Sequence, residues 1–175
     1  ANTLNLSFIT LKNYLWYAEK TYILERVRPF ARNGRKEITK APLIYFNDLG
    51  IRNFAIGRFG SLDKPADLGL IFQNWVWQIL RQRLAKSSAG IHFWRSKDGA
   101  EVDFVVDYGS RILPIEVKYK SYKIPQIEKS LRSFIDKYKP ARALVINLSL
   151  AEKIKIDQTE IEFCPFWRIF GCEVL

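Results

Sequence analysis

Apolar residues along this chain recur at two spacings, one helical and one alternating. Thr10, Leu11, Tyr14, Leu15, Ala18 and Tyr22 stand three and four apart behind Ser7, whose hydroxyl suits a helix N-cap, so the first element is a helix. Residues 22–30 then read as a strand, Asn33-Gly34 as a tight turn and residues 35–40 as the returning strand. Residues 43–46 form a short apolar strand that ends at Asn47-Asp48-Leu49-Gly50, with a brief helix over 51–56. The strongest helical pattern spans 68–86, where Leu68, Ile71, Phe72, Trp75, Val76, Ile79, Leu80 and Leu84 keep the spacing. A second such helix spans 126–139, with Ile127, Leu131, Phe134, Ile135 and Tyr138 on one side and Pro140 as its stop. Strand-like runs lie at 91–95, 101–106, 112–119, 143–148 and 159–169. Helix, three-stranded meander, helix, strand is an α/β arrangement.

Composition narrows what such a fold can do. At 175 residues and 20.5 kDa the chain holds one domain, or one domain and a small appendage. No apolar run approaches the ~20 residues of a membrane span, and no signal peptide opens the chain. With no methionine and Ala1 at its start, the chain reads as a piece of a longer protein. One histidine, His92, and two late cysteines, Cys164 and Cys172, cannot supply a four-ligand zinc site of the usual spacing. His92 reads as a packed or surface residue and Trp75, Trp77 and Trp94 as core or domain-packing aromatics, with base stacking by one of them the alternative. No phosphate-cradling glycine motif occurs, so no ATP site is expected here, and a reducing, cytoplasmic setting is.

Charge is the next clue. The net charge is +10, which points to a polyanion, most simply nucleic acid, or else to a merely soluble basic surface. Residues 1–40 carry Lys12, Lys20, Arg26, Arg28, Arg32, Arg35, Lys36 and Lys40 against Glu19, Glu25 and Glu37, which is half of that excess. A helix followed by a basic hairpin is what the second half of a winged helix would look like; a solvated hairpin bracing the next domain fits equally. The expected organisation is therefore a partial winged helix over 1–40 and an α/β domain over 41–175. Lys12, Arg28, Arg32, Arg35 and Lys36 are the candidate DNA contacts.

One stretch could carry chemistry. Side chains in a strand alternate faces, so Val102, Phe104 and Val106 share one face while Glu101 and Asp103 share the other. Ile115, Val117 and Tyr119 likewise oppose Glu116 and Lys118. If Tyr108-Gly109 is the turn, Glu101 lies opposite Glu116 and Asp103 sits on the diagonal, roughly 7 Å away at the Cα atoms. Three carboxylates and a lysine then converge on one face. Lys118 or a hard divalent cation would neutralise them, and Mg²⁺ is held by one or two carboxylates with several waters. Such an ion lowers the pKa of the water it binds and steadies charge on a phosphodiester oxygen.

Asp103, then about a dozen residues, then Glu116-Val117-Lys118 on the adjoining strand resembles the PD-(D/E)xK signature of restriction-endonuclease-like nucleases. More closely, the chain resembles the C-terminal domain of unknown function carried by many prokaryotic AAA-type ATPases. The likeness rests on Thr10–Leu15, Lys40–Gly50, Gly69–Asn74, Phe93-Trp94-Arg95, Glu101–Phe104 and Ile115–Lys118, in that order. It implies a restriction-endonuclease-like mixed sheet flanked by helices, with Asp103 and Glu116 as ligands of Mg²⁺ or Mn²⁺ and Lys118 as the catalytic lysine. It also implies that the ATPase portion of the full-length protein is a partner. At Gln73 the family usually has a glutamate, so that side chain joins the site without adding charge. Three readings follow: a Mg²⁺-dependent nuclease, a nuclease fold that binds DNA or protein without cutting, and an oligomer contact through the apolar aromatics.

Overall fold

In the computed structural model, which describes residues 6–31, 41–59 and 65–171, eight described strands form one mixed sheet. The chain runs α1 (Phe8–Lys20), β1 (Leu24–Pro29), β2 (Leu43–Phe46), α2 (Leu49–Ala55) and α3 (Pro65–Leu84). It continues through β3 (Gly90–Arg95), β4 (Glu101–Asp107), β5 (Ile112–Val117), α4 (Lys129–Tyr138), β6 (Arg142–Asn147), β7 (Glu152–Ile156) and β8 (Thr159–Pro165). A 3₁₀ helix, Phe166–Gly171, follows. The order across the sheet is β2-β1-β3-β4-β5-β6-β8-β7. The β3–β4–β5 meander is antiparallel, whereas β6 joins β5 in parallel through the α4 crossover.

Local chemistry sets most boundaries. Ser7 Oγ accepts from the Thr10 amide at 3.0 Å and Asp48 Oδ1 from Ile51 at 2.8 Å, which caps α1 and α2. Lys139, left-handed at φ 49°, ends α4 before Pro140. The turn Asn33-Gly34 and the return strand expected over 35–40 lie outside the described residues. In the structure β1 pairs with β2 and with β3, so residues 24–29 belong to the same sheet as the later strands. Strand β7 was not foreseen. It is a short edge strand rich in charge, and edge strands carry such charge to block further pairing.

The sheet is buried on both faces. On one face Phe72, Val76, Trp77 and Leu80 of α3 share a core with Phe93, Phe104, Val106, Ile115 and Leu144 of the sheet. On the other, Leu131 and Phe134 of α4 share a core with Trp94, Val102, Val105, Val145 and Phe163 of the sheet. This corrects two expectations. First, Val102 does not share a face with Phe104 and Val106. The β3–β4 register shifts by one between His92 and Trp94, so that Phe93 faces both Asp103 and Phe104. That β-bulge turns Asp103 towards α3 and sends Val102 to the other side.

Second, Phe104 pairs with Ile115 and Asp107 with Ile112, while Tyr108 N donates to Arg111 O at 2.9 Å. The turn is therefore Gly109-Ser110, two residues displaced from the pairing expected, and Asp103 rather than Glu101 continues the ladder towards Glu116. Gly109 at φ 81° supplies the positive φ that a two-residue hairpin loop of this kind needs at its first position.

Candidate functional site

Strands β4 and β5 part at one end, and side chains fill the gap. Beyond the last ladder pair, the Val117 amide donates to Asp103 Oδ2 at 2.7 Å. Gln73 on α3 donates its Nε2 to Asp103 Oδ1 at 2.9 Å and reaches the Tyr45 hydroxyl on β2 at 3.1 Å. Main chain thus holds one oxygen of Asp103 and a neutral amide the other. Tyr45 is itself fixed by stacking on Trp77, with centroids 5.4 Å apart. Asn74, next to Gln73, clamps β2 to α3 by accepting from Phe46 N and donating to Phe46 O, both at 2.8 Å.

Glu116 approaches from the α4 side and is 4% exposed. Its Oε1 lies 2.8 Å from Lys118 Nζ, and its Oε2 is buried with no protein partner. Lys118 also reaches Glu128 Oε2 at 2.9 Å. Glu128 occupies the N-cap position of α4 without capping it, because its carboxylate is turned to the lysine.

Burial dominates the electrostatics. It pushes Glu116 up to about 8; the Asp103 charge adds to this and Lys118 opposes it. Burial also pushes Asp103 up to about 6 against the Val117 N–H and Lys118. For Lys118, burial works against the ammonium, yet the bonds to Glu116 and Glu128 outweigh it and hold its pKa above the ordinary value. The Tyr45 hydroxyl is driven well above its usual range by burial, then by the Asp103 and Glu101 charges, and stays protonated. Among the described residues no three His, Cys, Asp or Glu side chains form a ready-made metal cage. The unpartnered Glu116 Oε2 and the Asp103 carboxylate are nevertheless hard oxygen donors of the kind Mg²⁺ or Mn²⁺ takes.

Asp103, Glu116, Lys118 and Gln73 therefore meet in one place. Glu101 does not join them, because Arg95 holds it across the strands at 2.7 Å. Lys12 and Arg28 are exposed on α1 and β1, whereas Arg32, Arg35 and Lys36 lie outside the described residues. Trp77 and Trp94 are core residues, and His92 packs near Phe30 with ring centroids 6.1 Å apart. Tyr45 and Glu128 were missed as site residues. Each sits on an element remote in sequence from the Asp103–Lys118 stretch, where no spacing rule reaches.

A mixed α/β sheet flanked by helices, with one buried and one half-buried carboxylate and a lysine at the parting of two central strands, is the class that fold and site define. The chain belongs to the family described as Domain of unknown function (DUF4143), whose model matches residues 68–169. Residues 1–62 match the model of a second domain of unknown function, DUF8612. Relatives include Uncharacterized protein Mb2031c of Mycobacterium bovis and Uncharacterized protein Rv2008c of Mycobacterium tuberculosis. Each is 26% identical over 148 residues, covering 83% of this chain and 33% of the relative. The chain thus spans about a third of the length of the curated relatives it matches. Among solved structures, a half-complex of Thermococcus gammatolerans McrB AAA+ hexamers with bound McrC aligns at TM-score 0.41 and 14% identity. That alignment covers 55% of this chain and 27% of the other, and a likeness at this level carries no argument.

Proposed function

We propose that this chain is a metal-dependent DNA phosphodiesterase domain of the restriction-endonuclease-like, PD-(D/E)xK type, working with an AAA-type ATPase in its full-length protein. One observation carries the reading: a half-buried carboxylate, Asp103, and a buried one, Glu116, interact electrostatically with each other and with Lys118 at the gap between β4 and β5. Burying like charges is expensive, and hydrophobic packing would serve stability better, so the pair serves chemistry. Asp103 and Glu116 would hold Mg²⁺ or Mn²⁺. The ion, when bound, would neutralise the pair, acidify a water and stabilise charge on a phosphodiester oxygen.

The remaining roles belong to the chain's own residues. Gln73 and the Val117 amide fix the orientation of Asp103. Lys118 keeps its proton, so its role is to meet developing phosphate charge and not to act as a base. To do so it exchanges one carboxylate for a phosphate oxygen, and Glu128, half exposed, is the partner it can release.

A second reading is favoured by Gln73. A neutral amide where a glutamate is usual makes the site a weaker cation trap, which suits a fold that binds DNA or the ATPase without cutting. Incubation with supercoiled and branched DNA in Mg²⁺ or Mn²⁺ separates the two. Cleavage is expected, falling about a hundredfold or more in Lys118→Ala. Salt-sensitive binding with no cleavage of any substrate by the folded chain would replace the first reading with the second.

A further inference from the structure

A line of six aromatic rings begins at the candidate site and runs away from it. Tyr119 follows Lys118 directly, and its ring stands edge-on to Phe72, the residue before Gln73, at 5.7 Å. Phe72 stacks on Trp75 at 5.8 Å, and Phe166 lies edge-on to both. Trp75 also meets Phe170 at 6.4 Å, while Phe166 meets Trp167 at 5.1 Å. The inner end is packed, with Phe72 8% exposed. The outer rings are not: Tyr119 is 47% exposed, Trp167 55% and Phe170 58%. Cations flank this shelf. Lys120 and Lys123 follow Tyr119 on the exposed loop, and Arg168, next to Trp167 in the chain, is exposed in a cleft that Glu152, Lys153 and Glu162 also line. Neither 117–127 nor 166–171 contains an acid.

We propose that this shelf stacks the bases of an unpaired DNA strand whose backbone enters the Asp103–Glu116 gap, so that the substrate is single-stranded or locally unpaired DNA and not closed duplex. The inference rests on the nucleic-acid reading of that gap and names its substrate class. Exposed rings with lysines close by in the chain are the ingredients of single-strand binding: rings take the bases and cations take the phosphates. Bases inside a closed duplex already stack on each other and cannot use the rings. The shelf also starts one residue from Lys118 and one from Gln73, so a strand lying on it passes the carboxylates.

The test uses the whole chain in EDTA, with a labelled oligothymidylate and a duplex of equal length, read by fluorescence anisotropy and tryptophan quenching. The single strand should bind more tightly and quench the protein's fluorescence. Trp167→Ala should weaken it by roughly five- to 150-fold, Tyr119→Ala comparably, and Trp167→Phe should retain most of the affinity. Phe54→Ala, which removes an exposed ring on α2 outside the shelf, should change nothing. Equal or tighter binding of the duplex, or indifference to both alanine variants, would overturn the proposal. So would ring-dependent binding to anionic phospholipid vesicles in place of the oligonucleotide. Since neither metal nor cleavage enters the readout, a chain that binds in this way yet never cuts sinks the nuclease reading alone. A chain that cuts duplex but ignores the shelf sinks only this one.

Discussion

Glu116 takes up its proton near pH 8 in the folded chain against 4.5 when unfolded, and Asp103 near 6 against 3.8. For each, the folded state binds the proton more tightly. Below the unfolded value both states are protonated and nothing is gained or lost; as pH climbs through the folded value, the buried charge destabilises the fold. Stability from these two groups therefore falls between about pH 4 and pH 8, and an ion at the pair should restore it. Thermal unfolding in EDTA should show a larger loss from pH 5 to pH 8.5 in the native chain than in Glu116→Gln, with recovery on adding Mn²⁺ only in the native chain. Identical pH profiles for the two would contradict this account of Glu116. The identities of Asp103, Glu116 and Lys118 were legible in the sequence, because three residue types at a fixed spacing on adjoining strands carry their own signal. Their burial, and the partners Glu128 and Tyr45, were not, since these come from packing between elements far apart in the chain.

At the scale of the element, strict alternation predicts which strand exists but not how its faces end up. The run Glu101–Val106 was expected as a strand, and β4 forms there. The bulge opposite Phe93 has no mark in the sequence, yet it is what aims Asp103 at Gln73. Likewise the hairpin at 107–112 was foreseen, while the one-residue displacement of its turn, which shifts the pairing by two, depended on Gly109 standing first in the loop. The clamp between α3 and β2 is also tertiary. Asn74 pairs with both main-chain groups of Phe46, and Gln78 Nε2 also reaches Phe46 O at 3.2 Å, so Asn74→Ala strips the part-buried Phe46 N–H of its side-chain acceptor and should cost about 1–3 kcal/mol of stability by urea denaturation. Because Tyr45 and Gln73 sit on the two elements that it joins, Mn²⁺ affinity should fall with it. A fully stable variant would show that β2 is held by its pairing with β1 alone.

Across the whole molecule, a net charge of +10 surrounds a local acidic pocket that the average conceals. On the proposed reading, the first would draw a polyanion to the surface and the second a cation to the gap. Among the described residues no helix is long and apolar enough to cross a membrane. Two further domain-scale readings, an ATPase partner and DNA contacts through Lys12, Arg28, Arg32, Arg35 and Lys36, rest on resemblance and charge pattern. The chain itself sets the half-buried Asp103 carboxylate and the buried Glu116 carboxylate at one gap, and the nuclease proposal depends on their being a cation site. Titration with Mn²⁺, followed by electron paramagnetic resonance, tests that most directly. One bound ion per chain, lost in Asp103→Asn and in Glu116→Gln with the fold intact, is the predicted result. No binding at millimolar Mn²⁺, or binding that survives both substitutions, would contradict it.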